Sequence, residues 1–304
     1  MKALITGATG FIGRELCKRL DEPAILTRSA SKAGTWLGSV DRAWSWQPES
    51  EPAPREAFAG VDTVFHLAGE PIAEGRWSAE KKQRIRDSRV LGTRNLVRTL
   101  VELDVRPRQL VSVSAIGFYG DRGDVELDEG AARGEGFLPE VCELWEAEAR
   151  RAESAGVRVV VARLGIVLSE KGGALPRMLL PFRLGVGGKL GGGRQWMSWV
   201  HIDDALGLLL HAASSEQVIG ALNVVSPAPV TNEAFTRELG RVLQRPTLLP
   251  VPRFALRVAL GEVSGALLES QRVLPRVARD AGYAFAFPEL GGALEACIGK
   301  KGRA

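Results

Sequence analysis

The chemistry easiest to read in this 304-residue chain lies in Gly7-Ala8-Thr9-Gly10-Phe11-Ile12-Gly13. Three glycines at that spacing follow the apolar run Ala3-Leu4-Ile5 and open an amphipathic segment, Phe11 to Leu20. The pattern is strand, tight turn, helix. Gly7 allows the turn, Gly10 lets backbone approach a ligand closely, and Gly13 lets helix pack on strand. The unpaired first-turn N–H groups and the positive end of the helix dipole face one spot, which suits a pyrophosphate. A glycine triplet by itself marks any α/β turn. Placed between a first strand and a helix, it predicts a dinucleotide held by Gly7, Thr9, Gly10, Phe11, Ile12 and Gly13.

A second group of residues selects the dinucleotide. The run Ala24-Ile25-Leu26-Thr27 ends at Arg28. An acid here, about 20 residues past the glycines, would grip a ribose 2′-hydroxyl; an arginine suits a 2′-phosphate. Arg28, Ser29 and Lys32 form a phosphate-binding cluster with no acid among them, favouring NADP over NAD, and the competing reading is an ordinary solvated arginine. Arg89 shares a helical stripe with Ile85 and Gly92, and an inward arginine needs an anion. That anion is either the cofactor's phosphates or nicotinamide ribose, or a protein carboxylate in a buried ion pair. Leu67, Ala68 and Gly69, at the end of the run from Val61, should pass the adenine ribose or pyrophosphate, and Ser112 is grouped with them as cofactor-facing. Tyr119, Ser114 and Glu70 are the candidates for proton transfer. Each lies near a strand's carboxyl edge, where open α/β sheets bind ligands, and each has a structural alternative.

A parallel sheet is needed to bring these residues together. Apolar runs at 3–6, 24–27, 61–68, 109–115, 157–164 and 222–225 predict its strands, with a short strand inside the connection from Gly34 to Pro54. Ser78 should cap a helix running to about Leu103. A helix from about Leu138 to Ser154 buries Val141, Cys142, Trp145 and Ala149, and others span Leu175 to Leu184 and, capped by Asp203, Ala205 to Ala213. Trp196 to Ile202 reads as one strand, and the acidic, glycine-rich segment Asp121 to Gly136 as a loop or lid. From Thr231 short helices are broken by Pro246, Pro250, Pro252 and Pro275, closing on a helix from Pro288 to about Ile298. The expected fold is α/β, a doubly wound Rossmann-type parallel sheet with a smaller, mainly helical C-terminal cap. Residues 1–169 plus 195–228 make the NADP-binding domain, and 170–194 plus 229–304 the substrate/cap domain. Gly187-Gly188-Lys189 is not a phosphate loop, because Leu190 replaces the required Ser or Thr and no strand precedes it.

Composition narrows the function classes. The chain is 45% hydrophobic and 25% charged, ordinary for a soluble globular protein. A net charge of +4, with both signs interspersed and no basic run beyond Lys300-Lys301, does not imply nucleic acid. No apolar stretch reaches the ~20 residues that span a bilayer, so no membrane partner is expected. Met1-Lys2 leads straight into a core strand, which argues against a signal peptide and for a cytoplasmic location. Cys17, Cys142 and Cys297 read as reduced and, with His66, His201 and His211, lack metal-ligand spacing. The expected partner is a small molecule, and the expected state a monomer or weak homodimer.

Gly7 to Gly13, Leu67-Ala68-Gly69, Tyr119-Gly120, Arg163-Leu164-Gly165-Ile166-Val167 and Trp199 to Asp204 occur in one order. Together they resemble the extended short-chain dehydrogenase/reductase superfamily, of the NAD-dependent epimerase/dehydratase kind. Trp77, Ser88-Arg89, Trp145-Glu146, Leu179 to Arg183 and Ser270 to Val273 look like one atypical branch, the "epimerase family proteins", which carries a C-terminal domain of unknown function. The resemblance implies NADP and places Thr27, Arg28, Leu67, Ala68, Arg84, Arg89 and Val167 at nucleotide-contacting positions. The chain departs from the superfamily at its proton relay, Tyr-x-x-x-Lys, in which Lys lowers the Tyr pKa and Tyr exchanges a proton with substrate. Gly123 and Phe287 lie four residues after Tyr119 and Tyr283, and the helix positions that should face the cofactor hold Val141 and Trp145. Ala115 sits four residues before Tyr119, where the usual serine would be, with Ser114 one earlier. Two functions follow. One is an NADP-dependent oxidoreductase or nucleoside-sugar-epimerase-like enzyme using a different acid, favoured by the cap. The other is an NADP-binding redox sensor or partner-binding module, favoured by the missing relay.

Overall fold

Buried runs of Ala, Val, Ile and Leu form the strands, and amphipathic segments cover both faces. The computed structural model describes residues 1–37 and 42–299. Residues 38–41, within the Gly34 to Pro54 connection, and 300–304, with Lys300-Lys301, lie outside the described residues. The first half runs β1 (Ala3–Thr6), α1 (Phe11–Cys17), β2 (Ala24–Thr27), α2 (Ala33–Leu37), β3 (Ala43–Ser45), β4 (Thr63–His66), α3 (Ala79–Glu102) and β5 (Gln109–Ala115). It continues with β6 (Glu126–Leu127), α4 (Phe137–Arg150), β7 (Arg158–Leu164), β8 (Ile166–Leu168), α5 (Leu175–Arg183), β9 (Trp196–Met197), β10 (Trp199–His201), α6 (Ile202–Ser214) and β11 (Gly220–Val224). The remainder is β12 (Val230–Thr231), α7 (Asn232–Leu243), α8 (Arg253–Leu260), α9 (Val263–Leu268), β13 (Arg272–Val273), α10 (Arg276–Asp280) and α11 (Leu290–Ile298).

Among the described residues, seven strands form one sheet in the order β11-β7-β5-β4-β1-β2-β3. Every pairing in it is parallel. The chain winds from β1 outward through β2 and β3, then returns to build the other side from β4. The winding reverses between β1 and β4, and such a reversal opens a ligand crevice at the strands' carboxyl ends. Alternate residues feed opposite cores: Ile5, Phe65, Val111 and Val160 meet α1 and α6 on one face, while Leu4, Val64, Leu110 and Val159 meet Leu96 and Leu100 of α3 on the other. A third core joins α5, β9, β10, α7 and α11 through Leu179, Phe182, Trp199, Phe235 and Leu294. No helix among the described residues is long and apolar enough to cross a membrane.

Three local expectations are corrected. Trp196 to Ile202 is two strands, because Ser198 between them turns its hydroxyl to the Gln271 carbonyl (2.7 Å). β9 therefore pairs with β12 and β10 with β8. Asp203 is not the cap of the following helix: His201 is, its Nδ1 accepting from the Asp203 N–H at 3.1 Å. The first helix stops at Cys17 rather than Leu20. Ser78 does cap α3, accepting from the Lys81 N–H.

Candidate functional site

The glycine corner is built by close approach. Gly7 has φ +69°, and a Cβ on it would lie 2.7 Å from the Leu67 carbonyl carbon and 2.8 Å from the Ala68 nitrogen. A Cβ on Gly13 would stand 2.3 Å from the Gly7 oxygen. The Gly10 N–H donates to the Gly7 carbonyl at 2.9 Å, and Gly10 begins α1 without any side-chain cap, leaving the first-turn N–H groups for a ligand. Phe11 and Ile12 anchor α1 on the core, and the Phe11 ring fills the space that a Cβ on Gly172 would need. Opposite the corner, the Thr6 hydroxyl accepts from the N–H groups of Leu67 (3.2 Å) and Ala68 (3.3 Å) and lies 2.6 Å from His66 Nδ1. His66 Nε2 lies 2.9 Å from the Thr93 hydroxyl. Burial lowers the His66 pKa to about 4, so the ring is neutral. We assign its proton to Nε2, which lets Thr6 donate to Nδ1 and the ring donate to Thr93. That chain fixes the spacing of the β1 and β4 ends.

Arg28 is exposed just past β2, with its carbonyl held by Gln47 Nε2 at 3.3 Å. Thr27 Oγ1 accepts from the Ser29 N–H at 3.5 Å, the Ser29 and Ser31 hydroxyls are 3.3 Å apart, and Lys32 is exposed in the same turn. At the end of β4, Glu70 pairs with Lys81 (2.6 Å) and lies 3.7 Å from Arg84 Nε. The Lys81 hydrogen bond holds Glu70 below the usual carboxylate range, so at neutral pH Glu70 has no proton to donate. Arg89 lies flat against Gly69: its Cζ would be 3.3 Å from a Cβ there. Its Nη1 donates to the carbonyls of Glu70 (3.0 Å) and Ile85 (3.1 Å), and the guanidinium stacks 5.1 Å from the centre of the Trp145 ring. Both acceptors are neutral, and burial depresses its pKa. The buried ion pair that was one reading of Arg89 is absent among the described residues. Ser112 Oγ and Trp145 Nε1 are buried without a hydrogen-bond partner, and Val167 is buried in β8 beside β10.

Beyond the crevice lies a buried polar network. Register places Ser114, Arg163 and Asn223 in one row across β5, β7 and β11. Ser114 donates to Glu146 Oε1 (2.8 Å), and Arg163 grips both Glu146 oxygens (2.9 and 2.8 Å). Arg163 Nη1 donates to the Tyr119 hydroxyl (2.9 Å), which donates to Asn223 Oδ1 (2.7 Å). Tyr119 is 0% exposed, and burial pushes its pKa to about 12. Its hydroxyl has no face open to a substrate, so Tyr119 braces the network and is not placed as a proton donor. The sequence reading overlooked Lys81, Glu146, Asn223 and the His66 chain as a set. An Arg within the apolar run of β7 was the one visible signal, since a buried arginine requires a partner.

A doubly wound sheet with an open glycine corner at its reversal point defines an α/β nucleotide-binding protein. The chain belongs to the NAD dependent epimerase/dehydratase family, whose model matches residues 3–224, and residues 251–297 match a domain of unknown function, DUF1731. It is 41% identical to "Epimerase family protein SDR39U1 homolog, chloroplastic" of Arabidopsis thaliana, over 98% of this chain and 87% of that one. It is 37% identical to "Epimerase family protein YfhF" of Bacillus subtilis, over 98% of each. Among solved structures, human epimerase family protein SDR39U1 (isoform 2) with NADPH superposes with a TM-score of 0.85 at 32% identity, covering 98% of this chain and 99% of that one.

Proposed function

We propose that this chain binds NADP(H) in the crevice between β1 and β4 and acts as an oxidoreductase or epimerase-like enzyme on a small alcohol or carbonyl compound, with residues 170–194 and 229–299 closing over the substrate. The observation that carries the proposal is Arg89, a half-buried guanidinium beside the glycine corner whose hydrogen-bond acceptors are both neutral carbonyls. A protein does not keep such a charge without an anion to meet it. The relative solved with NADPH and the position of Arg28 support the phosphorylated dinucleotide. Arg28, Ser29 and Lys32 take its 2′-phosphate, and the α1 N–H groups and Arg89 its diphosphate or ribose. The nicotinamide supplies or accepts a hydride.

The usual Tyr-x-x-x-Lys pair is absent, and Trp145 stands at the lysine's expected place. Arg89, stacked on Trp145, restores a cation there. Ser114 is the strand-end hydroxyl for the substrate oxygen. With its own proton directed to Glu146, Ser114 keeps lone pairs that accept a hydrogen bond from a substrate alcohol. The burial of Ser114 and the closed network around it favour a second reading, an NADP-binding sensor without turnover.

Titration of protein fluorescence with NADPH, followed by panels of carbonyl compounds monitored at the NADPH absorbance, tests both. Oxidation that Ser114→Ala abolishes while NADPH binding persists supports the enzyme. Saturable binding without oxidation across the panel supports the sensor. Failure of NADPH to bind saturably overturns the proposal.

A further inference from the structure

The cap carries a charge asymmetry that the cofactor site does not use. Residues 171–200 contain Lys171, Arg177, Arg183, Lys189 and Arg194 and no Asp or Glu. Residues 239–261 contain Arg241, Arg245, Arg253 and Arg257 and again no acid. These two segments run side by side: Leu190 bridges Val251 in parallel, the Val251 N–H donates to the Lys189 carbonyl (2.8 Å), and Arg245 Nε donates to the Arg183 carbonyl (3.2 Å). Along this seam Leu184, Val186, Leu248 and Leu249 are each more than half exposed, as are Phe254 and Val258 one helical turn apart on α8. Arg253 and Arg257 are exposed on that same side of α8 and form no ion pair among the described residues. Arg177, Arg183 and Lys189 are partly neutralised by Glu74, Glu170 and Glu233, and Arg241 by Glu238 and Glu295, which leaves Arg253 and Arg257 to carry the charge of this face. Large apolar side chains left in water beside unpaired arginines mark an interaction surface.

We propose that this face of the cap lies on an anionic lipid bilayer, with Leu248, Leu249, Phe254 and Val258 entering the interface and Arg253 and Arg257 on the headgroups. The charge decides the occupant. A second copy would bring like charge against like charge, whereas an acidic lipid surface answers both the arginines and the apolar tips. Such docking needs no spanning helix, so the length of the apolar runs, which set the sequence expectation of no membrane partner, does not bear on it. The proposal stands apart from the cofactor reading, because no residue of the β1–β4 crevice takes part.

The test is sedimentation of the full chain with vesicles of phosphatidylcholine alone or with phosphatidylglycerol added. Binding to the anionic vesicles only, released by salt, is expected. Arg253→Gln with Arg257→Gln should weaken partitioning about thirtyfold. Phe254→Ser with Val258→Ser should lower it as well, and neither pair should shift the melting temperature, since all four side chains are exposed. No association with either vesicle, equal association with both, or binding that survives both double variants overturns the proposal. So does capture by an acidic polypeptide without vesicle binding, or a concentration-dependent dimer that the Phe254/Val258 variant abolishes without vesicle binding.

Discussion

Replacing Arg89 by Ala separates a ligand-facing cation from a structural one. The guanidinium makes two hydrogen bonds to neutral carbonyls and one ring stack. Losing two such bonds costs about 1–3 kcal/mol of folding stability, and removing a half-stripped charge from the interior returns a similar amount. The melting temperature should therefore move little. Cofactor binding lacks that cancellation. A charge-assisted hydrogen bond contributes about 1.5–3 kcal/mol, so the NADPH dissociation constant should rise roughly ten- to a hundredfold. Arg89→Lys keeps the charge but loses the planar stack and should recover part of that loss. Fluorescence titration with NADPH, beside a thermal melt of each variant, reads both quantities. An unchanged dissociation constant with a melting temperature lowered by several degrees would refute the reasoning, because Arg89 would then serve the fold.

Arg28→Asp should weaken NADPH by roughly ten- to a hundredfold while sparing NADH, since only the former carries the 2′-phosphate; equal affinities for wild type and variant count against the assignment. Glu146→Gln leaves Arg163 buried without a counter-charge, with an expected cost of roughly 3–5 kcal/mol, and adding Arg163→Met should regain part of it. Unchanged thermal melts of the single variant would contradict this. His66 has a folded pKa of about 4, below its ordinary 6.5. The unfolded chain thus binds the extra proton first, and the stability due to neutral His66 is fully present above about pH 6.5 and falls away towards pH 4, by up to about 3 kcal/mol. Denaturant titrations across that window should show the slope, and His66→Gln should flatten it.

Much of the cofactor corner was legible because its signals are local. Gly7 and Gly13 are required by sterics within the turn, Ser78 caps its own helix, and the apolar periods of β1, β5, β7 and α3 follow from which face each residue presents. The place of Arg28 just past β2 was legible as well, because it follows from where the apolar run ends. The polar network was not legible in the same way. Arg163 and Glu146 are 17 residues apart, and Arg163 and Tyr119 are 44 apart. Tyr119 looked like an acid at a strand's edge, and only packing shows it sealed. The division of Trp196 to Ile202 into two strands likewise depended on Ser198 meeting Gln271, 73 residues away.

The sequence by itself determined the strand–turn–helix corner, the alternation of strands and helices, and the basic residue beyond the second strand, since each depends on backbone geometry and periodicity over a few neighbouring residues. The tertiary structure alone decided that Arg89 meets Trp145 and no carboxylate, that Glu70 pairs with Lys81, that Tyr119 is enclosed, and that the segment around Lys189 runs beside the one around Val251. Those outcomes depend on sheet register and on which surfaces pack together, and no local pattern encodes the distance between residues that are far apart in the chain.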